Sequence, residues 1–369
     1  MDMFPRLAYL EWITGRPEVA LYDLATSDMR GDRDHEPDIV PEPLEGLVDP
    51  PTGATLETQI AGEYGVHPEQ VLVTAGASVA NFVATAAALY PDADATDPEA
   101  AEPTALVEKP TYEPLLKTPQ AVGGDVNRFI REEKSRLVPD RVAKAMTDDT
   151  RLVTVTNRHN PSGRLAGRET LAEMAAVADD NDARLLVDEV YAPYVAEPVD
   201  GPFGGPTAAG LDGAVVTNSL TKFHGLSDLR IGWLVADRPF VERARSVAYH
   251  VPGVSGPGRA LGKRAFHNTD ELDARSRELV ATNADLLASF VENREDVEGV
   301  LAPGSTFAFL DPVNVDGDEL TETAWEEGVL VVPGRFFGDE ERIRVSLGRS
   351  PDHVAAGLDA LADVLDSFR

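Results

Sequence analysis

The segment 219–233 combines the residue types of a site that could handle an aldehyde and a phosphate. Ser219, Lys222 and Arg230 follow the apolar run 214–217 in a stretch that contains glycines. Lysine is rare, with six positions among the 33 lysines and arginines, so a lysine here indicates that an amine is needed. An amine forms a Schiff base with an aldehyde, and an arginine fork binds phosphate. A single loop lysine, however, is more typical of a solvated surface.

Further polar residues follow two other apolar runs. Asp188 ends the run 184–188, and a buried carboxylate needs a cationic or hydrogen-bonding partner to offset its desolvation. Tyr191 follows three positions later. Asn160 begins an Asn-Pro-Ser-Gly turn after the run 152–156, although such turns are often purely structural. Because no His or Cys stands at ligand spacing near Asp188, we expect no metal here.

Two more segments could bind a planar, phosphorylated ligand. Gly76, Ala77 and Ser78 follow the run 71–74 and open a predicted helix, whose first N–H groups attract anions. Serine is also a common helix cap, so this signal alone is weak. Tyr112 follows the run 105–108 and could stack on a ring, although most such tyrosines only pack.

The elements that must position these residues alternate along the chain. Strands are predicted at 71–74, 105–108, 152–156, 184–188, 214–217 and 231–236, with helical segments such as 78–90 and 168–179 between them. This alternation predicts an α/β fold with a mostly parallel sheet and helices on both faces. In such sheets ligands bind at the carboxyl ends of the strands, where the polar residues above lie.

We predict three parts in the chain. Residues 1–45 form an N-terminal segment that packs on the small domain, residues 46–275 form the large domain, and residues 276–369 form a smaller α+β C-terminal domain. The small domain should contain strands at 307–310, 329–332 and 342–346 and a final helix at 352–368. The acidic, proline-rich stretch 91–103 is predicted to be an exposed connection.

The composition excludes several classes of protein. The formal net charge is −31, with acidic residues spread along the chain, which disfavours non-specific binding of nucleic acid or anionic membranes. The chain has no cysteine, and neither a signal peptide nor a membrane span is recognisable, so we expect a cytoplasmic protein. The spread acidity and scarce lysine resemble proteins from salt-accumulating cytoplasms.

The order and spacing of the motifs from Gly76 to Arg230 resemble those of the class I/II aminotransferases, which are pyridoxal-phosphate-dependent enzymes of fold type I. A further match is the segment 328–348, which contains Arg344. The resemblance therefore covers most of the chain. It implies bound pyridoxal 5'-phosphate, a homodimer, and transfer of an amino group from an α-amino acid to a 2-oxo acid.

The resemblance also implies a role for each matching residue. Lys222 would form the Schiff base and move the substrate proton, and we expect burial and nearby cations to lower its pKa. Asp188 would pair with the pyridine nitrogen, while Tyr191 and Asn160 would bond the ring's phenolic oxygen. Tyr112 would stack on the ring. The phosphate would be held by Gly76, Ala77, Ser78, Ser219, Thr221 and Arg230, and the substrate carboxylate by Arg344 together with Asn160.

Two departures from the family leave alternatives open. Val48 stands where relatives donate a tyrosine from the partner subunit, and residues 26–28 replace the glycine that relatives place beside the substrate carboxylate. A pyridoxal-phosphate-dependent lyase, catalysing elimination or decarboxylation on the same fold, is therefore the second reading. A non-catalytic cofactor-binding sensor is the third, and the missing basic DNA-binding domain argues against it. The sequence does not choose the amino donor.

Overall fold

The computed structural model describes residues 5–31, 39–90, 102–132 and 135–369. The predicted exposed connection at 91–103 lies outside the described residues except for its last two positions. No helix in the described ranges is both long and apolar enough to span a bilayer.

A seven-stranded sheet forms the centre of the larger part of the molecule. Its strands are β2 (Val71–Thr74), β3 (Thr104–Lys109), β4 (Asp125–Ile130), β5 (Thr150–Thr156), β6 (Arg184–Asp188), β7 (Ala214–Ser219) and β8 (Gly232–Val235). The strand order is β2-β8-β7-β6-β5-β3-β4. β8 pairs antiparallel with both neighbours, and the other pairs within the sheet are parallel.

Side chains alternate between the two faces of this sheet, because successive strand residues point in opposite directions. In β6, Leu185 and Val187 join one hydrophobic cluster while Leu186 joins another. The first cluster is covered by α2 (Leu56–Tyr64), α6 (Arg168–Asp179) and α8 (Gly256–His267), and the second by α3 (Ala77–Leu89) and α7 (Arg238–Ala248). Both faces are therefore buried, and ligands can approach at the strand ends. The connections after β3 and β4 carry α4 (Glu113–Ala121) and α5 (Pro139–Ala145).

The C-terminal part is a smaller layer built on an antiparallel sheet of order β12-β13-β10-β9. These strands are β9 (Val297–Gly299), β10 (Phe307–Pro312), β12 (Val332–Pro333) and β13 (Ile343–Ser346). The accompanying helices are α9 (Thr269–Glu292), α10 (Gly317–Glu326) and α11 (Pro351–Asp366). The N-terminal segment joins this layer after α1 (Ala8–Ile13), because β1 (Tyr22–Asp23) pairs with β11 (Val329–Leu330).

The predicted fold class is confirmed, with several local differences. The short strands β1 and β9 were not predicted. β4 was not predicted, because this edge strand alternates exposed and half-buried residues and has no continuous apolar run. The predicted strand 329–332 divides into β11 and β12, which belong to different sheets. α9 runs through the predicted domain boundary at residue 276, so that boundary stays a prediction.

Candidate active site

One cavity of about 430 Å³ lies where the carboxyl ends of the parallel strands meet the small layer. It brings together nearly all of the predicted site residues, which come from turns after β2, β3, β5, β6 and β7 and from β13: Ala77, Ser78, Tyr112, Asn160, Asp188, Tyr191, Ser219, Thr221, Lys222, Arg230 and Arg344. Gly76 is the exception, since it lies behind Arg230. The fold therefore brings together, in one cavity, nearly all of the side chains that the sequence placed at one edge of the sheet.

The corner formed by Gly76 and Arg230 fits a phosphate. Gly76 is the N-cap residue of α3 with φ +91, and no side chain caps the helix there. A Cβ on Gly76 would lie 2.8 Å from Arg230 Nη2, so the guanidinium packs directly on the glycine. Uncapped helical N–H groups, the Ser78 and Thr221 hydroxyls and a guanidinium are the donors that a phosphate requires.

Asp188 is held by an amide that the sequence prediction missed. Asn81 Nδ2 donates to Asp188 Oδ2 at 2.8 Å, and the Val190 N–H donates to Asp188 Oδ1 at 3.2 Å. The Thr217 hydroxyl fixes Asn81 in turn by donating to its Oδ1. The one available signal was a polar Asn81 within the apolar run of α3. Burial raises the pKa of Asp188 although these donors and Lys222 lower it, so a ligand N–H⁺ would offset its desolvation.

Lys222 lies beside the phenol of Tyr191, with Nζ 5.8 Å from the ring centroid. Burial lowers the pKa of Lys222, but Tyr191, Asp28 and Tyr9 raise it, and the net shift is upward. When only the groups of the protein itself act on it, the pKa of Lys222 is raised, so the expectation of a lowered pKa is wrong in this respect. The reason is that Tyr191, together with Asp28 and Tyr9 of the N-terminal segment, faces the amine and raises its pKa, whereas Arg344 is the cation that opposes them.

Arg344 reaches the cavity from β13 and is 2% exposed. Its Nη1 donates to Asn160 Oδ1 at 2.9 Å, and its Nη2 donates to Ala25 O at 3.2 Å and to Tyr9 Oη at 3.4 Å. The Nε–H of Arg344 is buried without a partner among the described residues. A carboxylate in the cavity would therefore meet an arginine already held in place.

Tyr9 is a second residue that the sequence prediction missed. It lies in α1, and its ring packs edge-on against Tyr112 with centroids 5.9 Å apart. Nothing in the local sequence marks it, because the contact joins elements that are far apart in the chain. Arg335 and Arg349, which lie near Arg344 in the sequence and could also bind a carboxylate, are engaged elsewhere: Arg335 pairs with Asp318, and Arg349 with Asp23.

Among the described residues, three cations that line the cavity make no direct ion pair, although Asp28 lies close enough to raise the pKa of Lys222. Within the described ranges, Lys222, Arg230 and Arg344 form no ion pair with a carboxylate. For a chain of net charge −31, three such cations around one cavity indicate a site for anionic groups. Pyridoxal phosphate fits this donor set, since its phosphate and the substrate carboxylate are anionic and its ring nitrogen can face Asp188.

The family model described as "Aminotransferase class I and II" matches residues 30–361. This chain belongs to that family.

Relatives of the aminotransferase have named activities of several kinds. This chain is 24% identical to an aspartate aminotransferase of Streptomyces avermitilis over 348 residues, which cover 89% of this chain and 82% of the relative. It is 27% identical to a histidinol-phosphate aminotransferase of Haloferax volcanii over 297 residues, which cover 79% of this chain and 75% of the relative.

Solved structures show the same fold. A pyridoxal-phosphate-dependent aminotransferase from Streptococcus suis superposes with a TM-score of 0.82 at 21% identity, covering 100% of this chain and 99% of that one. The structure of Thermus thermophilus aspartate aminotransferase with maleate superposes with a TM-score of 0.78 at 22% identity, covering 98% of this chain and 97% of that one.

The chain is thus a pyridoxal-phosphate-dependent aminotransferase, and the predicted cofactor and reaction class are confirmed. The family match favours transamination over the lyase reading. The roles of individual residues, by contrast, stay predictions. Val48 is 67% exposed and does not line the cavity.

Proposed function

We propose that this aminotransferase transfers an amino group from an α-amino acid to a 2-oxo acid with Lys222 as the residue that moves the substrate's Cα proton. The observation that carries the proposal is the placement of Lys222 in one cavity with Asp188, Arg230 and Arg344. An amine, a buried carboxylate and two arginine forks are the groups that this cofactor and an amino acid require.

Bound pyridoxal phosphate supplies an aldehyde that condenses with amines and a protonated ring that withdraws electrons from the substrate Cα. In the proposal, Arg230 and the start of α3 bind the phosphate, with Gly76 leaving room for the guanidinium. Asp188, oriented by Asn81, would keep the ring nitrogen protonated. Tyr191 and Asn160 would contact the ring oxygen, and Tyr112 would cover one face of the ring.

On the substrate side, Arg344 binds the α-carboxylate through two parallel hydrogen bonds. Asn160 supports this role, since its Oδ1 accepts from Arg344 Nη1. Lys222 would take up the proton from Cα and deliver it to the carbon that carries the cofactor's aldehyde, and this role requires a neutral amine. Because the neighbouring acidic groups raise its pKa, we propose that binding of the substrate and cofactor shifts this proton balance.

The experiment that tests the proposal is Lys222→Ala, with the exposed Lys144→Ala as a matched control. Lys222→Ala should lose the visible absorbance of the lysine-bound cofactor and reduce the half-reaction rate by about a thousandfold or more. Lys144→Ala should keep both. If Lys222→Ala keeps both the absorbance and the turnover, the assignment is wrong. A panel of amino donors with 2-oxoglutarate, at high and low salt, would identify the substrate.

We further propose that the protein is a homodimer and that it works in a salt-rich cytoplasm. We also propose that each subunit consists of an N-terminal segment at 1–45, a large domain at 46–275 and a small domain at 276–369. The family relationship supports the dimer, and the net charge of −31 supports the salt-rich setting, because salt screens self-repulsion. Sedimentation and thermal unfolding between about 0.1 and 3 M KCl would test both, with stability expected to rise with salt. A monomer at every salt concentration would contradict the dimer.

A further inference from the structure

Ser27 makes a buried contact with Tyr191, and the sequence analysis assigned no function to this serine. Its Oγ lies 2.7 Å from Tyr191 Oη, and the residues are 3% and 5% exposed. They are 164 positions apart in the chain. Ser27 belongs to the segment 26–28, in which the sequence departs from the family. The contact therefore links this unusual segment to the phenol beside Lys222.

Main-chain contacts hold Ser27 in position. Tyr194 Oη donates to the Ser27 carbonyl oxygen at 3.2 Å, and the Met29 N–H donates to the Lys222 carbonyl oxygen at 3.0 Å. The two segments approach so closely that a Cβ on Gly225 would lie 2.3 Å from Met29 O. The Ser27 hydroxyl is thus placed by backbone contacts rather than by a mobile loop.

The ring of Tyr191 is held equally well. It packs edge-on against Phe307 with centroids 5.0 Å apart and tilted against Tyr194 at 5.8 Å. The hydrogen bond therefore joins two groups with little freedom to move apart. A fixed donor and acceptor lose little entropy when they act on a third group.

The chemistry of the two hydroxyls decides the direction of this bond in the loaded enzyme. A phenol has one proton to donate and lone pairs with which to accept. If Tyr191 donates its proton to the cofactor's ring oxygen, it can only accept from Ser27. A hydroxyl that accepts one hydrogen bond donates another more strongly, because the bonds polarise one another.

We propose that Ser27 is a positioning residue that donates to Tyr191 and thereby strengthens the hydrogen bond from Tyr191 to the cofactor's ring oxygen. This inference rests on the proposed function of the cavity. A hydrogen bond to the ring oxygen favours its charged form and lowers the pH at which the bound chromophore takes up a proton. Ser27 should therefore lower the pH at which the bound chromophore takes up a proton, without contacting the substrate.

The test is a double-mutant cycle read by the pH titration of the holoenzyme's visible absorbance. Ser27→Ala should raise the midpoint by about one pH unit, the equivalent of one net hydrogen bond. Tyr191→Phe should raise it further. In the Tyr191→Phe background, Ser27→Ala should shift the midpoint by less than about 0.3 units, because Ser27 acts through the phenol. Ser27→Thr, which keeps a hydroxyl, should restore the wild-type midpoint.

An equal shift in both backgrounds, or no shift from Ser27→Ala, would overturn the proposal. Ser27→Gly removes the same hydroxyl and replaces Ser27→Ala if that variant does not bind the cofactor. The exposed Ser246→Ala serves as a control for the substitution itself. Failure of the proposed function looks different, since the visible absorbance would then not depend on Lys222 at all.

Discussion

The cavity has two walls of different construction. The proposed cofactor wall consists of Ala77, Ser78, Asp188, Lys222 and Arg230, which lie at or near the ends of strands of one sheet, with Gly76 directly behind the Arg230 guanidinium. The proposed substrate wall consists of Tyr9, Ala25, Thr26, Asp28 and Arg344, which come from α1, the segment after β1, and β13. In the first wall, each residue is placed by the strand that precedes it. In the second, each is placed by contacts between distant segments, such as the bond from Arg344 to Asn160 across 184 positions.

This difference separates chemistry from specificity. The strand ends of a packed parallel sheet are rigid, so the cofactor wall can keep charged groups at fixed positions. The substrate wall is assembled from short segments that can change without disturbing the sheet. We therefore expect substitutions in the cofactor wall to reduce the reaction rate and those in the substrate wall to alter substrate affinity.

After Lys222→Ala, the largest expected effect is that of Asp188→Asn in the cofactor wall. Removing the charge that is proposed to face the ring nitrogen should reduce the half-reaction rate about a thousandfold, since losing one partner of a buried charge pair costs about 4 kcal/mol. Single-turnover kinetics with saturating cofactor would measure it. The exposed Asp148→Asn should leave the rate unchanged. A loss of less than tenfold would remove Asp188 from its proposed role.

The next effect is that of Arg344→Lys in the substrate wall. An ammonium cannot form the two parallel hydrogen bonds of a guanidinium, so KM for the amino donor should rise about 10- to 100-fold. Cofactor affinity should stay within about twofold of the wild-type value. Arg342→Lys is the matched control, because this half-exposed arginine pairs with Asp311 outside the cavity. A weakened cofactor affinity with unchanged KM would reverse the assignment of the two walls.

A smaller effect is expected from Gly76→Ala. The new Cβ would lie 2.8 Å from Arg230 Nη2 and should displace the guanidinium, weakening cofactor binding about tenfold. Gly210→Ala provides the comparison, since its φ of +77 imposes similar backbone strain but nothing lies within 4 Å of the added atom. Equilibrium dialysis of the cofactor would separate the clash from the strain. Equal affinities in the two variants would show that Arg230 does not need Gly76.

A separate effect, on stability rather than on activity, concerns Glu189, which adjoins Asp188 but points away from the cavity. Burial raises its pKa from 4.5 to about 8, although the Ala208 N–H and the Thr207 hydroxyl oppose the shift. A folded-state pKa above the unfolded value means that its contribution to stability is complete below about pH 4.5 and is lost as the pH rises through 8.

Glu189→Gln, which resembles the protonated acid, should therefore flatten the decline of the free energy of unfolding between pH 5 and 8. Denaturant titrations across that range, with the exposed Glu173→Gln as the control, would measure the difference. Parallel declines in the two variants would contradict the predicted shift.

The accuracy of the sequence predictions differs between the two walls for a physical reason. Asp188 and Lys222 could be found because each follows an apolar run, and the carboxyl ends of parallel strands lie at one edge of the sheet. Asn81 left only the weak signal of an amide in an apolar helix. Ser27 was marked only by the departure of segment 26–28 from the family, and Tyr9 was not marked at all, because their partners lie far away in the chain.

The sequence by itself determined the sheet, the family and the residues at the strand ends, since alternating apolar runs and turn motifs are local patterns. The tertiary structure decided which acidic groups face Lys222, which donors orient Asp188 and Arg344, and that Ser27 contacts Tyr191. These are properties of side chains brought together from separate elements. Burial and electrostatic interaction act through space, and distance along the chain does not reveal them.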